Sequence, residues 1–300
     1  MILVCGATGI LGGIITNQLL SEGKHTRILL RHNSPSEELS LHGLATSSKA
    51  LINAGAEPVY GDFKDLESLS NACNNVETII TTVNSAMRSG EDNVDSVDRS
   101  GNNNLIEVAK QACVNHLIFI SFSGADVHHP VSLFQAKAET EALLVKSGLP
   151  YTILASNFFI ESWTGMVIGM PLAAHQPVNL VGEGNHKHSF ISVVDVSKFA
   201  IAAIERPEVL NKKFFLGGPE AVSWCEIVKI FSKEVGMKIP VNFLKPGDPI
   251  SGLPDIVAPM LAIMETYDSV IPMDETSRTF GLNQTPIATV IKRMLKTVSV

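Results

Sequence analysis

The hydrophobic positions of this chain fall into two alternating rhythms over its first half. Short β-rich runs occupy Ile2–Cys5, Thr26–Arg31, Pro58–Tyr60, Val76–Val83, His116–Ser121 and Tyr151–Ala155. Between them, apolar residues recur at helical spacing over Ile10–Ser21, His42–Ala54, Leu66–Asn74, Asn103–Ala112 and Ser132–Lys146. Gly23, Gly55 and Gly148 each close a stripe just before a strand, where glycine readily ends a helix. This alternation predicts an α/β fold, a doubly wound parallel sheet with helices on both faces. Ile28–Leu30 and His116–Ser121 read as continuous apolar runs, the habit of parallel strands buried on both sides.

Beyond about Phe158 the alternation fades. Phe190–Ile191 and Phe214–Leu216 read as further strands. Ser192-Val193-Val194-Asp195 and Ser223-Trp224-Cys225-Glu226 have capping-box spacing, so a helix is expected to start at each. Thr285-Pro286 opens a last helix that runs to about Leu295. The expected organisation is a sheet domain over 1–157 and a smaller α/β lobe over 158–300. The lobe is expected to be partly interleaved with the sheet domain and packed over the carboxyl edge of the sheet.

Composition narrows the classes. The 300 residues are 45% hydrophobic and 18% charged, too apolar for a disordered chain. Lys and Arg number 23 against 30 Asp and Glu, a net charge of −7 that argues against a nucleic-acid partner. No apolar run approaches the roughly 18 residues of a membrane span, so no membrane partner is expected. The cysteines Cys5, Cys73, Cys113 and Cys225 show no CxxC spacing, as expected of reduced thiols in a cytoplasmic protein. The first apolar run, Ile2–Val4, leads straight into glycines and reads as a strand, not a signal peptide.

The main chemical signal is Gly6-Ala7-Thr8-Gly9-Ile10-Leu11-Gly12-Gly13, directly after the first strand and opening the first helix. It differs from GxGxxG in placing Thr8 where the middle glycine would stand. Gly6 permits the tight turn, Gly9 lets backbone approach a pyrophosphate at the helix N-terminus, and Gly12 lets the helix pack closely. Gly6, Thr8, Gly9, Ile10, Leu11 and Gly12 are therefore candidate cofactor residues. The plain alternative is a βα turn that uses glycine for geometry alone. At the end of the second strand, Leu30-Arg31-His32-Asn33-Ser34 carries no carboxylate for a ribose 2′-hydroxyl. Arg31 suits a 2′-phosphate, so the expected cofactor is NADP(H); otherwise Arg31 is a solvated strand-end arginine.

These residues resemble the NmrA-like group of atypical short-chain dehydrogenases, with an NAD(P)-binding Rossmann fold. The likeness adds Gly61-Asp62-Phe63 after the third strand and Asp98-x-x-Gly101-Asn102-x-Asn104-Leu105 before a long helix. It continues through Lys137-Ala138-x-x-Glu141, Ser147-Gly-Leu-Pro-Tyr-Thr-Ile153 and Asn157-Phe158-Phe159, covering about the first 200 residues. The resemblance implies that Asp62 and Phe63 border the adenine and that Thr81, Thr82 and Val83 line the cofactor path. It also implies that Lys137 reaches the nicotinamide ribose. Asp62 suits an N-cap equally well, and Lys137 suits a surface pair with Glu141. Asn157 is placed either to contact nicotinamide or to cap the following helix.

Short-chain dehydrogenases use Tyr-x-x-x-Lys to pass a proton, but Leu133 stands four residues before Lys137. Of the three tyrosines, Tyr60 belongs near the adenine end and Tyr151 begins a strand, leaving only Tyr267 as a candidate near a substrate. The expected activity is therefore NADPH-dependent reduction of a quinone-like or other electrophilic small molecule, with Lys137 as the catalytic residue. The group's other known role gives the alternative, a non-enzymatic NADP(H) sensor or assembly factor acting through a protein partner. Sugar-nucleotide epimerase chemistry is disfavoured by the same missing tyrosine, and a monomer or homodimer is expected.

Other features read more plainly. His128-His129 forms either a proton donor or a polar loop pair, and His186-Lys187-His188 a solvated strand edge. Met260 and Met264 read as ordinary core, and Cys5 as a small buried hydrophobe.

Overall fold

The computed structural model describes residues 1–32, 47–86, 88, 90–250, 252–253 and 257–298. The strands β1 (Ile2–Cys5), β2 (Thr26–Leu30), β3 (Glu57–Tyr60), β4 (Thr78–Thr81), β5 (His116–Phe122) and β6 (Tyr151–Ser156) come first. They alternate with α1 (Ile10–Ser21), α2 (Ser48–Asn53), α3 (Leu66–Ala72), α4 (Asn102–Gln111) and α5 (Ser132–Ser147). Then follow α6 (Ile160–Thr164), α7 (Met170–Ala173), β7 (Val178–Val181), α8 (Val193–Ile204) and β8 (Lys212–Leu216). The chain ends with α9 (Trp224–Val235), β9 (Val241–Leu244), α10 (Val257–Met264), α11 (Asp274–Phe280) and α12 (Ile287–Val298). A π-helical segment, Val94–Gly101, leads into α4.

The chain divides into two compact units. The first comprises Met1–Ser156, Val196–Phe215 and Arg278–Leu282; the second comprises Asn157–Asp195, Leu216–Ser277 and Asn283–Val300. The first is built on a seven-stranded sheet in the order β3-β2-β1-β4-β5-β6-β8. Ile2 of β1 stands beside Thr26 of β2 and Thr78 of β4, and every ladder from β3 to β6 is parallel. Alternate strand residues share a face. Leu3, Cys5, Ile79, Leu117, Phe119 and Ile153 thus join Leu69 and Ala72 of α3, Leu105 and Val108 of α4 and Leu144 of α5 in one core. β3 keeps its edge polar: Glu57 pairs with Arg27 at 2.7 Å, and Pro58 withholds a donor. α5 ends on Gly148 in the left-handed region, φ 76°.

The expected strands and helices of this unit form, with shifted ends. The fourth strand ends at Thr81, its ladder with β1 closing on the bond from the Thr82 amide to the Cys5 carbonyl, 3.0 Å. Residues 42–46 of the expected second helix lie outside the described residues; α2 starts at Ser48, its cap Ser47 accepting from the Ala50 amide. The expected strand at Phe214–Leu216 is β8, which extends this sheet beside β6.

In the second unit, β7 and β9 form a two-stranded parallel sheet that the apolar pattern did not reveal. The strand expected at Phe190–Ile191 is absent. The Phe190 amide turns back to the His188 carbonyl, leaving only a single bridge from Ile191 to Phe159. Ser223 and Glu226 form the expected capping box on α9. At α8 the start is as expected and Ser192 caps it, its hydroxyl accepting from the Val194 amide at 3.2 Å, with two carboxylates adding bonds around the turn. Buried Glu161 accepts from the Ser192 hydroxyl (2.5 Å) and the Val193 amide (3.0 Å), while Asp195 accepts from the Thr285 amide (2.6 Å) and hydroxyl (3.0 Å). α12 starts at Ile287, one residue beyond Pro286, whose carbonyl accepts the first helical bond from the Val290 amide at 3.2 Å.

Candidate active site

The strand order reverses between β1 and β4, and in open α/β sheets ligands bind outside the carboxyl ends at that point. Gly6 leaves β1 there with φ 88°, pressed against the chain leaving β4. A Cβ on Gly6 would lie 2.5 Å from the Thr82 hydroxyl, and one on Gly12 2.1 Å from the Gly6 carbonyl oxygen. Gly9 is exposed and its Cβ would lie 3.3 Å from that same oxygen. Gly9 is also the cap of α1, with no side-chain hydrogen bond and no acidic residue in the first turn. The amides at the start of α1 therefore keep their electropositive character toward the open side. Thr8 and Ile10 are half-buried beside this cradle, whereas the Leu11 side chain belongs to the core. Thr81 is buried at the end of β4, and Thr82 and Val83 continue beyond it. The cradle fits a pyrophosphate.

At the ends of β2 and β3, polar groups gather. Arg31 pairs with Asp92, whose other carboxylate oxygen accepts from Lys64 at 2.6 Å; Arg88 approaches Asp92 at 3.5 Å. His32 and Tyr60 stack at 5.1 Å, with Tyr60 half-exposed. Asn33 and Ser34 lie outside the described residues. Asp62 accepts from the Lys64 amide at 2.8 Å, and α3 is capped instead by Asp65, so the N-cap reading of Asp62 is corrected. Phe63 is buried: Gly101 lies against its side chain, and Asn104 donates to its carbonyl at 2.9 Å. Gly101 and Asn104 of the Asp98-x-x-Gly101-x-x-Asn104 spacing thus clamp the loop after β3, while Asp98 turns to Ser85.

The third cluster surrounds Lys137. Its Nζ donates to the Ile120 carbonyl (2.9 Å) and lies 5.1 Å from the Phe119 ring centroid. The expected alternative, a surface pair with Glu141, is corrected. Glu141 accepts from the Ser121 hydroxyl at 2.5 Å and from Lys213 at 2.6 Å. Burial holds the Lys137 ammonium below the ordinary lysine range, while the charges of Asp98 and Glu141 pull it back. Asp98 is itself buried, one oxygen accepting from the Ser85 amide (3.0 Å) and hydroxyl (2.5 Å), and burial pushes its carboxyl up. Its other oxygen, Asn102 Oδ1 and Thr81 Oγ1 are buried without a partner among the described residues. Arg99 ties this π-helical segment to α5, binding Glu139 (2.8 Å), Ser132 (3.2 Å) and Gln135 (3.3 Å). Leu133, at the tyrosine position, is core.

His129 belongs to the loop before α5: Nδ1 accepts from the Val131 amide at 3.0 Å, and the ring stands edge-on to Phe134. Burial lowers its basicity. Cys5 is buried and its thiol is pushed up by that burial.

The decisive comparison is with protein families: the model of the NmrA-like family matches residues 1–287. The chain belongs to that family. It is 27% identical over 290 residues to phenylcoumaran benzylic ether reductase PT1 of Pinus taeda, covering 93% of this chain and 90% of the relative. It is 28% identical over 243 residues to photosystem II assembly factor Ycf39 of Trieres chinensis, covering 80% of this chain and 71% of that one. The solved NADPH-dependent quinone oxidoreductase of Escherichia coli in complex with NADPH matches with a TM-score of 0.78. At 22% identity over 98% of this chain and 100% of the other, that match is a likeness of fold. Among the described residues of this NmrA-like chain, no helix is long and apolar enough to cross a membrane, and no group of three His, Cys, Asp or Glu is placed to hold a metal.

The second unit of the NmrA-like chain has its own polar chain. Asn157 is buried; it donates to the Ser269 carbonyl and hydroxyl (3.0 Å each) and accepts from the Phe158 amide (2.9 Å). It therefore does not cap α6. His188 Nε2 faces the Met264 carbonyl at 3.1 Å, so that nitrogen carries the proton, and Nδ1 accepts from the Ser269 hydroxyl at 2.7 Å. The solvated strand edge expected at 186–188 is corrected. His186 is exposed on Asp268, but His188 is fully buried and its pKa falls to about 4. Tyr267 stands edge-on to that ring, and Met260 and Met264 are core. Sequence reasoning passed over Lys64, Arg88, Asp92, Ser121 and Lys213. These lie in turns or on partner elements where no spacing marks them, although Lys64 directly follows a motif residue.

Proposed function

We propose that this chain is an NADPH-dependent reductase of a quinone-like or otherwise electrophilic small molecule. The observation that carries the reading is the combination at one sheet edge of a glycine cradle, a cationic cluster and a lysine with Leu133 at the tyrosine position. Gly6, Gly9 and Gly12 with the first amides of α1 would hold the pyrophosphate, and Arg31 the 2′-phosphate. Bound there, NADPH supplies the hydride. Thr82 and Val83 would line the path between cradle and reaction centre. Lys137, tethered at Ile120, would orient the ribose and offer positive charge to a developing anion. With Leu133 where the tyrosine acid would stand, the site suits acceptors whose reduced anion takes its proton from solvent, and the protein contributes chiefly position. The sequence likeness to a benzylic ether reductase and the fold shared with a quinone oxidoreductase support this reading. NADPH oxidation across a panel of quinones, enones and cationic dyes is the test. Tight NADPH binding with no oxidation by any acceptor would overturn it.

The likeness to a photosystem II assembly factor supports a second reading, a nucleotide-binding factor that acts through a protein partner. Such a factor binds one redox form preferentially and captures its partner without turnover.

A further inference from the structure

The three cations beyond β2 and β3 share one carboxylate. Arg31 comes from the end of β2, Lys64 from the loop after β3, and Arg88 from the segment that precedes the π-helical Val94–Gly101. Asp92, only 17% exposed, uses both oxygens on them: Oδ1 accepts from Lys64 at 2.6 Å, and Oδ2 meets Arg31 and, at 3.5 Å, Arg88. Further carboxylates act on the cluster from around it: Asp62, 3.9 Å from Lys64 and one-third exposed, Glu91 on Lys64, and Asp98 on Arg88. Among the ion pairs between described residues, Asp92 is the carboxylate that all three cations share. The guanidinium of Arg88 is pushed down by burial and by the neighbouring charge of Arg31, while Asp92, Asp62 and Asp98 pull it back. A phosphate monoester carries roughly −1.5 to −2 charges and three acceptor oxygens, a closer match to three cations than a carboxylate with one charge and two oxygens.

Taking the dinucleotide reading as its basis, we infer that Asp92 is a built-in stand-in for the 2′-phosphate, holding Arg31, Lys64 and Arg88 together until that phosphate displaces it. Asp92 then sets cofactor selectivity in two ways. It keeps the cations assembled and partly desolvated, so less ordering is required when the phosphate arrives. It also competes with the phosphate for the same donors, which lowers the affinity below what the cations alone would give. A nucleotide without a 2′-phosphate cannot make this exchange and leaves Asp92 in place.

The test is calorimetric titration of the full chain and its Asp92→Asn variant with adenosine 2′,5′-bisphosphate and with 5′-AMP, two probes that differ by the phosphate in question. Removing the competing charge is expected to tighten the bisphosphate about three- to tenfold, the size of a partly exposed ion pair, and to leave 5′-AMP unchanged. Lys64→Met, which removes a cation and not the competitor, is expected to weaken the bisphosphate alone. Unchanged or weaker bisphosphate binding in a folded Asp92→Asn protein overturns the exchange, as does a loss of 5′-AMP binding, which would make Asp92 a ribose acceptor. If Asp92→Asn does not fold, Lys64→Met decides, and equal effects on the two probes overturn the proposal. Wild-type protein that binds neither probe overturns the dinucleotide reading itself, and the exchange with it.

Discussion

Lys137 donates to the carbonyl oxygen of Ile120, 2.9 Å away, instead of reaching along its own helix to Glu141. A lysine held by a strand carbonyl has its position fixed by the sheet, and its charge is left for whatever lies beyond. Lys137→Met keeps the apolar stem over the Phe119 ring and removes the charge. It is expected to lower kcat/KM for NADPH-driven reduction about 10²-fold or more, with the larger part in kcat. A fall confined to KM would make Lys137 a binding residue only. Steady-state kinetics with one good acceptor separates the two.

The glycine turn predicts two different failures one helical turn apart. A Cβ at Gly12 meets the Gly6 carbonyl oxygen at 2.1 Å, which no rotamer relieves because the obstacle is backbone. Gly12→Ala is expected to cost about 2–3 kcal/mol of stability and to abolish nucleotide binding. At Gly9 the same atom is 3.3 Å away and the residue is exposed, so Gly9→Ala is expected to cost under about 1 kcal/mol. Its effect falls on the approach of the ligand, weakening NADPH at least about tenfold. Urea unfolding and NADPH titration of the same two variants check both halves. Equal destabilisation would show that the turn has slack the packing denies.

Arg31→Ala is expected to weaken NADPH by about 10- to 100-fold and NADH by no more than about twofold, because a charge-assisted contact to a phosphate is lost only where the phosphate exists. Competitive titration of the two dinucleotides measures the ratio. Parallel losses would mean that Arg31 acts on the loop and not on the phosphate.

The sheet was legible because each parallel strand is a run buried on both faces: β5, His116–Phe122, is apolar enough to be read without neighbours. The glycine turn was legible for a related reason, since each of its glycines answers a local steric demand. What escaped depends on partners distant in sequence. Glu161 adds a second cap to α8 from 31 residues upstream of Ser192, so the local motif Ser192–Asp195 named the right helix start and the Ser192 cap but not this partner. Asp92 gathers cations from the ends of two strands, and no spacing along the chain announces it. The Phe190–Ile191 run failed as a strand because the Phe190 amide turns back to the His188 carbonyl and leaves Ile191 alone to bridge, a fact about backbone and not about hydrophobicity.

Two buried imidazoles predict how stability follows pH. His188 is enclosed by Ser269, Met264 and an aromatic cage, and His116 donates to the Thr152 hydroxyl at 2.8 Å, that hydroxyl in turn donating to the Val209 carbonyl. Burial lowers each from 6.5 to about 4. Between those values the unfolded chain binds protons that the folded chain refuses, so stability is complete above pH 6.5 and drains as pH falls toward 4. The loss is on the order of 2–3 kcal/mol for each group. Asp98 and Glu161, whose carboxyls burial pushes up, act in the opposite sense, so the raw profile mixes the two. A variant isolates the histidine part. His188→Gln retains a polar side chain without a titrating ring, and its stability is expected to be lower at pH 7 but flatter between pH 7 and pH 4 than that of the wild type. Urea unfolding at a series of pH values reads this directly. A variant as steep as the wild type would show that the His188 imidazole takes up its proton in the folded state.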